Sequence, residues 1–352
     1  MNEPEPAGKD LKLALRLNLY RSATLDVPVD LVRAADDLGY HSVWSAEAYG
    51  TDALSPLAYL AALTTRIKLG TAIAQLAARP PATLAMHAMT IDALAGGGRV
   101  IIGIGVSGPQ IVEGWYGQPW GHPTERLRDY VAIVRKVLDR EAPVTHDGAE
   151  ISLPYRGPGS TEQGKALRSI LHSSARIPLW LASGGPKNTE LCAEVGDGWL
   201  PMSLGSDTHL APLQRGWEKR GGRPDGFEVF TGLSVQLTDD VAGALDRMRP
   251  LTAMYVGGMG SASHNFHREG MARRGFPEEA RQIQEHWLAG RKDQALAAVP
   301  DEYLEQTAFI GDEQRIRRRW ATWTPPAGVT GLIVDVPGVQ ELRLVANLKE
   351  GS

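Results

Sequence analysis

Short apolar runs alternate with stretches of helical periodicity along almost the whole chain. Residues 11–17 read as a strand, and residues 29–38 space their apolar side chains for a helix that Gly39 ends. The couplet recurs as a strand over 41–45 with a helix over 56–63. It recurs again as a strand over 67–74 with a helix over 81–94 that carries proline in its first turn. A nearly pure apolar run over 99–105 predicts a fourth strand, followed after a loop by an amphipathic helix over 124–138. The alternation pauses between 141 and 176, where 143–145 and 150–152 predict a hairpin turning near Asp147-Gly148. Strands over 178–182, 198–201, 228–236 and 328–334 resume it, with helices over 187–195, 210–219, 240–248 and 339–348.

Eight β-then-α units result, with no change of composition to mark a linker. Strict alternation argues for a parallel sheet, and a count of eight argues for a (β/α)8 TIM barrel over an open doubly wound sheet. The pattern predicts one α/β domain over 11–352, with insertions after the fourth strand and between the seventh and eighth. Residues 1–10 are rich in Pro, Glu and Gly without the apolar core of a signal peptide, and are expected to be a flexible terminus.

Composition narrows the function classes. A net charge of -4 and no Lys/Arg stripe speak against nucleic acid as a partner. The run Arg315, Arg317, Arg318, Arg319 reads as a solvated helix face. No stretch approaches the roughly 18 apolar residues of a membrane span, so no membrane partner is expected. A single cysteine, Cys192, excludes an internal disulfide framework and fits a reducing cytoplasm; its helical surroundings predict a buried small hydrophobe.

Candidate chemistry gathers where a barrel places it, just after each strand. These segments are Glu47-Ala48-Tyr49-Gly50-Thr51-Asp52, Ala72-Ile73-Ala74-Gln75, Val106-Ser107-Gly108-Pro109-Gln110 and Ser183-Gly184-Gly185-Pro186-Lys187. Gly103-Ile104-Gly105-Val106-Ser107-Gly108 fits the dinucleotide fingerprint G-x-G-x-x-G. The Trp115-Tyr116-Gly117-Gln118-Pro119-Trp120 stretch intervenes where a helix should open, and no acid-tipped strand follows, so these glycines read as close-approach positions. Ser183-Gly184-Gly185-Pro186 reads either as an anion site at a helix start or as a tight βα turn. Trp115, Tyr116 and Trp120 line a pocket or pack on the rim. His264 and His267 lack a nearby ligand set, so no metal site is expected, and the lone His87 reads as packed or capping. No G-x-S-x-G elbow occurs.

Five ordered segments together resemble the luciferase-like family, in particular its coenzyme F420-dependent oxidoreductase branch. They are Ser45-Ala46-Glu47-Ala48-Tyr49-Gly50, Leu69-Gly70-Thr71-Ala72-Ile73 and Gly103 through Gln110. Gly184-Gly185-Pro186-Lys187-Asn188 follows with Gly196-Asp197-Gly198-Trp199, and then Tyr255-Val256-Gly257-Gly258-Met259-Gly260 with Asn265-Phe266. The resemblance covers nearly the whole chain. It implies a cofactor pocket at the strand ends, with a non-prolyl cis peptide at Ala72–Ile73 against the ring system. It further implies that Val106, Ser107 and Gly108 contact the ring or its side chain, and that Ala182, Ser183, Gly184 and Gly185 hold the cofactor phosphate. Residues 254–307 would form a lid or substrate wall. Sugar-phosphate dehydrogenases of this branch carry an acid–His pair and a Glu where this chain has Glu47-Ala48 and Gly108, so that substrate class is disfavoured.

The resemblance therefore implies an F420-dependent hydride transfer to a small-molecule or peptide-borne unsaturated substrate, reducing an activated C=C, C=N or C=O bond. The enzyme is expected to be cytoplasmic and homodimeric. Candidate proton donors are Glu47, Tyr49 and Asp52, with water beside them; Glu47 reads equally well as a structural hydrogen-bonding group. Trp115 and Tyr255 are candidate substrate contacts. An FMN-dependent monooxygenase of the same fold is the alternative, and a non-catalytic cofactor-binding protein a second.

Overall fold

The computed structural model describes residues 11–21, 23–201, 204, 209–259 and 265–351. The flexible terminus expected over 1–10, Gly260 of the fifth segment and His264 lie outside them.

In chain order the elements begin β1 (Lys12–Arg16), α1 (Val29–Asp37), β2 (Ser42–Ser45), α2 (Ser55–Ala61), β3 (Lys68–Thr71) and β4 (Ala74–Gln75). Then come α3 (Pro81–Leu94), β5 (Val100–Gly105), α4 (Pro109–Val112), α5 (Pro123–Asp139), β6 (His146–Asp147) and β7 (Ser152–Leu153). They continue with β8 (Leu179–Ser183), α6 (Pro186–Val195), β9 (Gly198–Pro201), α7 (Leu210–Arg220), β10 (Glu228–Leu237) and α8 (Val241–Gly258). The last are α9 (Phe266–Arg273), α10 (Pro277–Leu288), α11 (Lys292–Ala297), α12 (Asp301–Glu305), β11 (Ala308–Gly311), α13 (Glu313–Thr322), β12 (Gly331–Asp335) and α14 (Val339–Glu350). All eight strands of the sequence pattern are present, and the strand-to-strand registers between them are parallel. No helix among the described residues is long and apolar enough to cross a membrane.

The chain packs as two compact units. One holds residues 17–200 and 212–227. Its strands run in the order β2-β3-β5-β8-β9, with β4 on β5. Large and small residues alternate across this sheet: Trp44 registers with Gly70, and Trp180 with Gly103. A Cβ on Gly70 would stand 2.5 Å from the Trp44 ring, so only glycine leaves the indole its place. The two indoles, 5.1 Å apart and fully buried, fill the middle of the sheet and leave the strand ends for a ligand.

The other unit holds residues 1–16, 201–211 and 228–352, with strand order β11-β10-β12-β1. Residues 230–234 of β10 register with β12, and residues 234–237 with β11. Helices α8 to α12 enclose a core of their own that includes Ala253, Val256, Met271, Ile283 and Leu304.

Several local expectations are corrected. The hairpin pairs His146 with Leu153 and Asp147 with Ser152 instead of 143–145 with 150–152. Asp129 of α5 sets that register by accepting from Glu150 N (2.7 Å), Ile151 N (3.0 Å) and His146 Nε2 (3.1 Å). Helix α8 runs past residue 248 and through Pro250, and β11 lies inside the stretch expected to be helix and loop. A single helical turn, α4, does open directly after Gly108. His87 is solvent-exposed on α3 instead of packed. In the basic run, Arg317 and Arg318 are exposed as expected, and Arg315 and Arg319 both reach Glu305.

Candidate active site

Strand β3 stops at Thr71 because the chain turns out of the ladder there. The Ala72–Ile73 peptide is cis, and pairing to β5 resumes at β4. Thr71 locks this exit: its hydroxyl donates to Gly103 O (2.8 Å) and accepts from Gly103 N (2.9 Å). A Cβ on Gly103 would collide with the Thr71 carbonyl, and one on Gly105 would stand 2.7 Å from Ile73 Cδ1. Ala72 N donates to Ser45 O (2.7 Å), tying the bulge to the end of β2. Ser45 Oγ and Gln75 Oε1 are buried here without a hydrogen-bonding partner among the described residues.

Glu47 holds the bulge from its far side. Its carboxylate accepts from Gln75 N (2.6 Å), Ala53 N (3.1 Å) and both terminal nitrogens of Arg79, each at 2.8 Å. Its carbonyl accepts from Gln75 Nε2 (3.0 Å), and its N–H donates to Ile73 O (3.3 Å). Arg79 is largely covered beside it, and Tyr130 donates to the Arg79 carbonyl (3.0 Å). Both carboxylate oxygens of Glu47 are thus spent on structure.

The other two candidate proton donors differ from each other. Burial works to raise the pKa of Asp52, but hydrogen bonds from Ser55 and Leu54 and the charge of Arg79 outweigh it and hold the carboxyl below its ordinary value. Asp52 Oδ1 accepts from Leu54 N and Ser55 N, both at 2.8 Å, and so caps α2. Tyr49 is exposed and meets Trp115 edge-on at 6.5 Å, both rings being solvent-facing. Tyr116 donates to Ala48 O at 3.4 Å, and its hydroxyl pKa is raised by burial and the charge of Glu47.

At the end of β5, Val106, Ser107 and Gly108 are half-buried, and Ser107 adopts a left-handed φ of 61°. At the end of β8, Ala182, Gly184 and Gly185 are half-buried, and Gly185 caps α6 without any side-chain bond. A Cβ on Gly185 would meet nothing within 4 Å, so the start of this ten-residue helix is open to a ligand. The Ser183 hydroxyl is occupied by Thr189 Oγ1 (2.9 Å) and Trp199 Nε1 (2.8 Å), so what Ser183 offers a ligand is backbone.

Tyr255 belongs to the other unit. It lies near the end of α8 with its ring 4.6 Å from that of His267. Asn265, fully buried, caps α9 through His267 N (2.9 Å) and donates to Val256 O (2.7 Å), stapling the end of α8 to the start of α9. Sequence reasoning missed Arg79, and it named Thr71 and Ser45 only within resembling segments, without their hydrogen bonds to the bulge. The signal for Arg79 was its place directly before Pro80-Pro81 at a helix start.

Known proteins are similar to this chain in sequence and in fold. A model of the luciferase-like monooxygenase family matches residues 14–330. The chain belongs to the luciferase-like monooxygenase family. This member is 41% identical over 346 residues to a protein of Mycobacterium tuberculosis named as a coenzyme F420-dependent oxidoreductase, covering 96% of this chain and 99% of that one. It is 27% identical over 310 residues to the 5,10-methylenetetrahydromethanopterin reductase of Archaeoglobus fulgidus, covering 87% and 88%. The solved structure of the coenzyme F420-dependent tetrahydromethanopterin reductase from Methanopyrus kandleri matches with a TM-score of 0.73 at 22% identity, over 97% and 99% of the two chains. The fold is the luciferase-like (β/α)8 barrel, as the eight alternating units predict.

Proposed function

We propose that this luciferase-like protein is a coenzyme F420-dependent oxidoreductase that reduces an activated C=C, C=N or C=O bond of a small or peptide-borne substrate. The observation that carries the reading is a pair of buried oxygens without partners among the described residues, Ser45 Oγ and Gln75 Oε1, flanking the Ala72–Ile73 peptide. Buried polar atoms are nearly always paired, so a polar ligand edge belongs there. The 41% identity to a protein named as F420-dependent supports the choice of deazaflavin.

The residues present fit such a cofactor. Ala72, Ile73, Val106, Ser107 and Gly108 would hold the ring, and Ala182, Ser183, Gly184 and Gly185 would receive the phosphate at the open start of α6. When bound, the deazaflavin supplies a hydride. The protein's share is to orient the two reactants and to let one proton through. Glu47 is fully engaged and Asp52 is held ionised, which leaves Tyr49 and solvent as proton sources.

Titrating the cofactor-free protein with F420 and with FMN tests the reading, followed by reduced F420 with a panel of enones, imines and ketones. Micromolar F420 binding with substrate-dependent reoxidation is expected. Tight FMN binding with oxygen-dependent turnover and no F420 binding would sink it.

The reading also takes the chain as a homodimer. Met86, Thr90 and Leu94 form one exposed stripe of α3, Tyr59 of α2 is exposed as well, and the sole charged residue of α3, Asp92, is buried. An uncharged, partly apolar helix face suits a second copy of itself. Sedimentation should show a dimer that M86E/L94E converts to monomer; a monomeric wild type would refute it.

A further inference from the structure

Asp197 stands just before β9, and its carboxylate is shared by three arginines of its own compact unit. Oδ2 accepts from Leu179 N and from Arg135 Nη2, both at 2.9 Å. Oδ1 accepts from Arg176 Nη2 at 2.8 Å, and Arg220 Nη2 approaches it to 3.8 Å. Burial, and then the charges of Arg135 and Arg176, hold the Arg220 pKa below its ordinary value although Asp197 acts to raise it. Next to this cluster lies a cleft of about 280 Å3 whose lining includes Arg135, Asp139, Ser173 and Arg176. Ser173 Oγ is buried without a hydrogen-bonding partner among the described residues. Arg135 Nη2 also donates to Val195 O (3.0 Å), but Nε and Nη1 of both Arg135 and Arg176 donate to nothing among the described residues. The cleft precedes β8, whose far end carries Ser183 and the open turn into α6, so the two places stand at opposite ends of one strand.

Buried hydroxyls are nearly always paired, so Ser173 marks a place for a polar ligand. Arg135, Arg176 and Arg220 against Asp139 and Asp197 leave one positive charge, so that ligand is an anion. Guanidinium forks match carboxylate and phosphate alike, but two forks and a hydroxyl together can be used only by a group with more than two oxygens. The cleft is also small beside the roughly 300–1,000 Å3 of organic ligand pockets. We propose that it binds phosphate, as the free ion or as a small monoester. Bound there, at the end of a barrel that serves stability instead of chemistry, the ion ties α5 to the segment entering β8. The site does not rest on the F420 reading.

The test is calorimetric titration of the full chain with inorganic phosphate, phenyl phosphate and benzoate, in chloride buffer of fixed ionic strength. Submillimolar binding of one phosphate per chain is expected, with benzoate roughly tenfold weaker or more. Phenyl phosphate binding more tightly than the free ion supports a monoester as the ligand, and the reverse order supports the ion itself. Arg176→Met should weaken phosphate roughly tenfold, Arg176→Lys less, and Ser173→Ala severalfold. Asp139→Asn should tighten it, because it removes a carboxylate from the lining. Lys165→Met, which deletes an exposed cation outside the lining, should leave it unchanged. Thermal melts confirm that each variant is folded, and phosphate should raise the melting temperature of wild type. No phosphate binding by wild type, or benzoate bound as tightly as phosphate, overturns the proposal. So does phosphate binding that is unchanged in folded Arg176→Met and Ser173→Ala, which would place the anion elsewhere, as at the start of α6.

Discussion

Arg79 grips Glu47 with both arms of its guanidinium, Nη1 on Oε1 and Nη2 on Oε2, each at 2.8 Å. The pair spans 32 residues of sequence and closes the segment that contains the Ala72–Ile73 bulge. Removing one partner of a buried pair strands the other charge, at a cost of about 3–5 kcal/mol. Glu47→Gln and Arg79→Met should each lower stability by that order and weaken F420 binding. The double variant should be less damaged than the two losses added together. Denaturant unfolding and F420 fluorescence titration of all four proteins read this out. Additive losses, or unchanged F420 affinity in both folded single variants, would detach the pair from the cofactor platform.

Thr71 and Gly103 exchange two hydrogen bonds at the exit of β3. Thr71→Val keeps the shape and deletes both, leaving Gly103 N–H buried and unpaired. The expected loss is about 1–3 kcal/mol, measured as a shift in the urea midpoint with an unchanged slope. Thr71→Ser should recover most of it. A valine variant as stable as wild type would show that the hydroxyl is dispensable.

Two groups predict the acid limb of stability. Burial lowers the His267 pKa from 6.5 to about 4. The unfolded chain therefore takes up this proton first, and the stabilisation present above pH 6.5 is lost as pH falls toward 4. Asp36 works at lower pH. Burial would raise its carboxyl, but backbone hydrogen bonds from Thr65, Ile67 and Arg66 outweigh it and hold the pKa below the ordinary 3.8. Its contribution is whole above that value and disappears as pH falls through the lower, folded one. Unfolding curves from pH 8 to 2.5 should show His267→Phe flattening the upper part and Asp36→Asn the lower. A wild-type limb identical to both variants would refute the assignment.

Cys192 is completely buried, and burial pushes its thiol up to about 12. A disulfide reagent should leave the native protein unlabelled and react with one thiol per chain after unfolding in urea. Rapid labelling of the native protein would show that α6 opens readily.

The period of the hydrophobic pattern was enough to read the barrel. All eight strands appear, and α3 and β9 begin and end where the pattern puts them. The errors fall where tertiary contacts override local preference. Ala308-Phe309-Ile310-Gly311 is too short an apolar run to declare itself, and becomes β11 only because β10 offers residues 234–237 as an edge. Pro250 argues for a helix stop, yet α8 passes through it with Ala253 and Val256 buried beyond. Part of the site was legible in the same way. The bulge at Ala72–Ile73 and the open turn at Gly184-Gly185 announce themselves through small residues and a resemblance. Arg79 does not, since an arginine before two prolines shows nothing of the carboxylate it meets in space. Glu47 and Asp52 read as acids in a loop, and only their hydrogen bonds reveal a brace and a cap.

Strand β10 carries one further implication. Its first half is laddered to β12 and its last four residues to β11, so the chain leaves β10 into α8 and comes back onto β10 after α12. The described residues between 238 and 307 are thus a detour that returns to the strand it left, and Arg315 and Arg319 of α13 also hold it through Glu305. Such a cassette can be lengthened, shortened or exchanged between relatives without moving any strand of the barrel out of step. Chimeras that exchange it between relatives at Leu237 and Ala308 should therefore fold with the strand registers of the sheet unchanged.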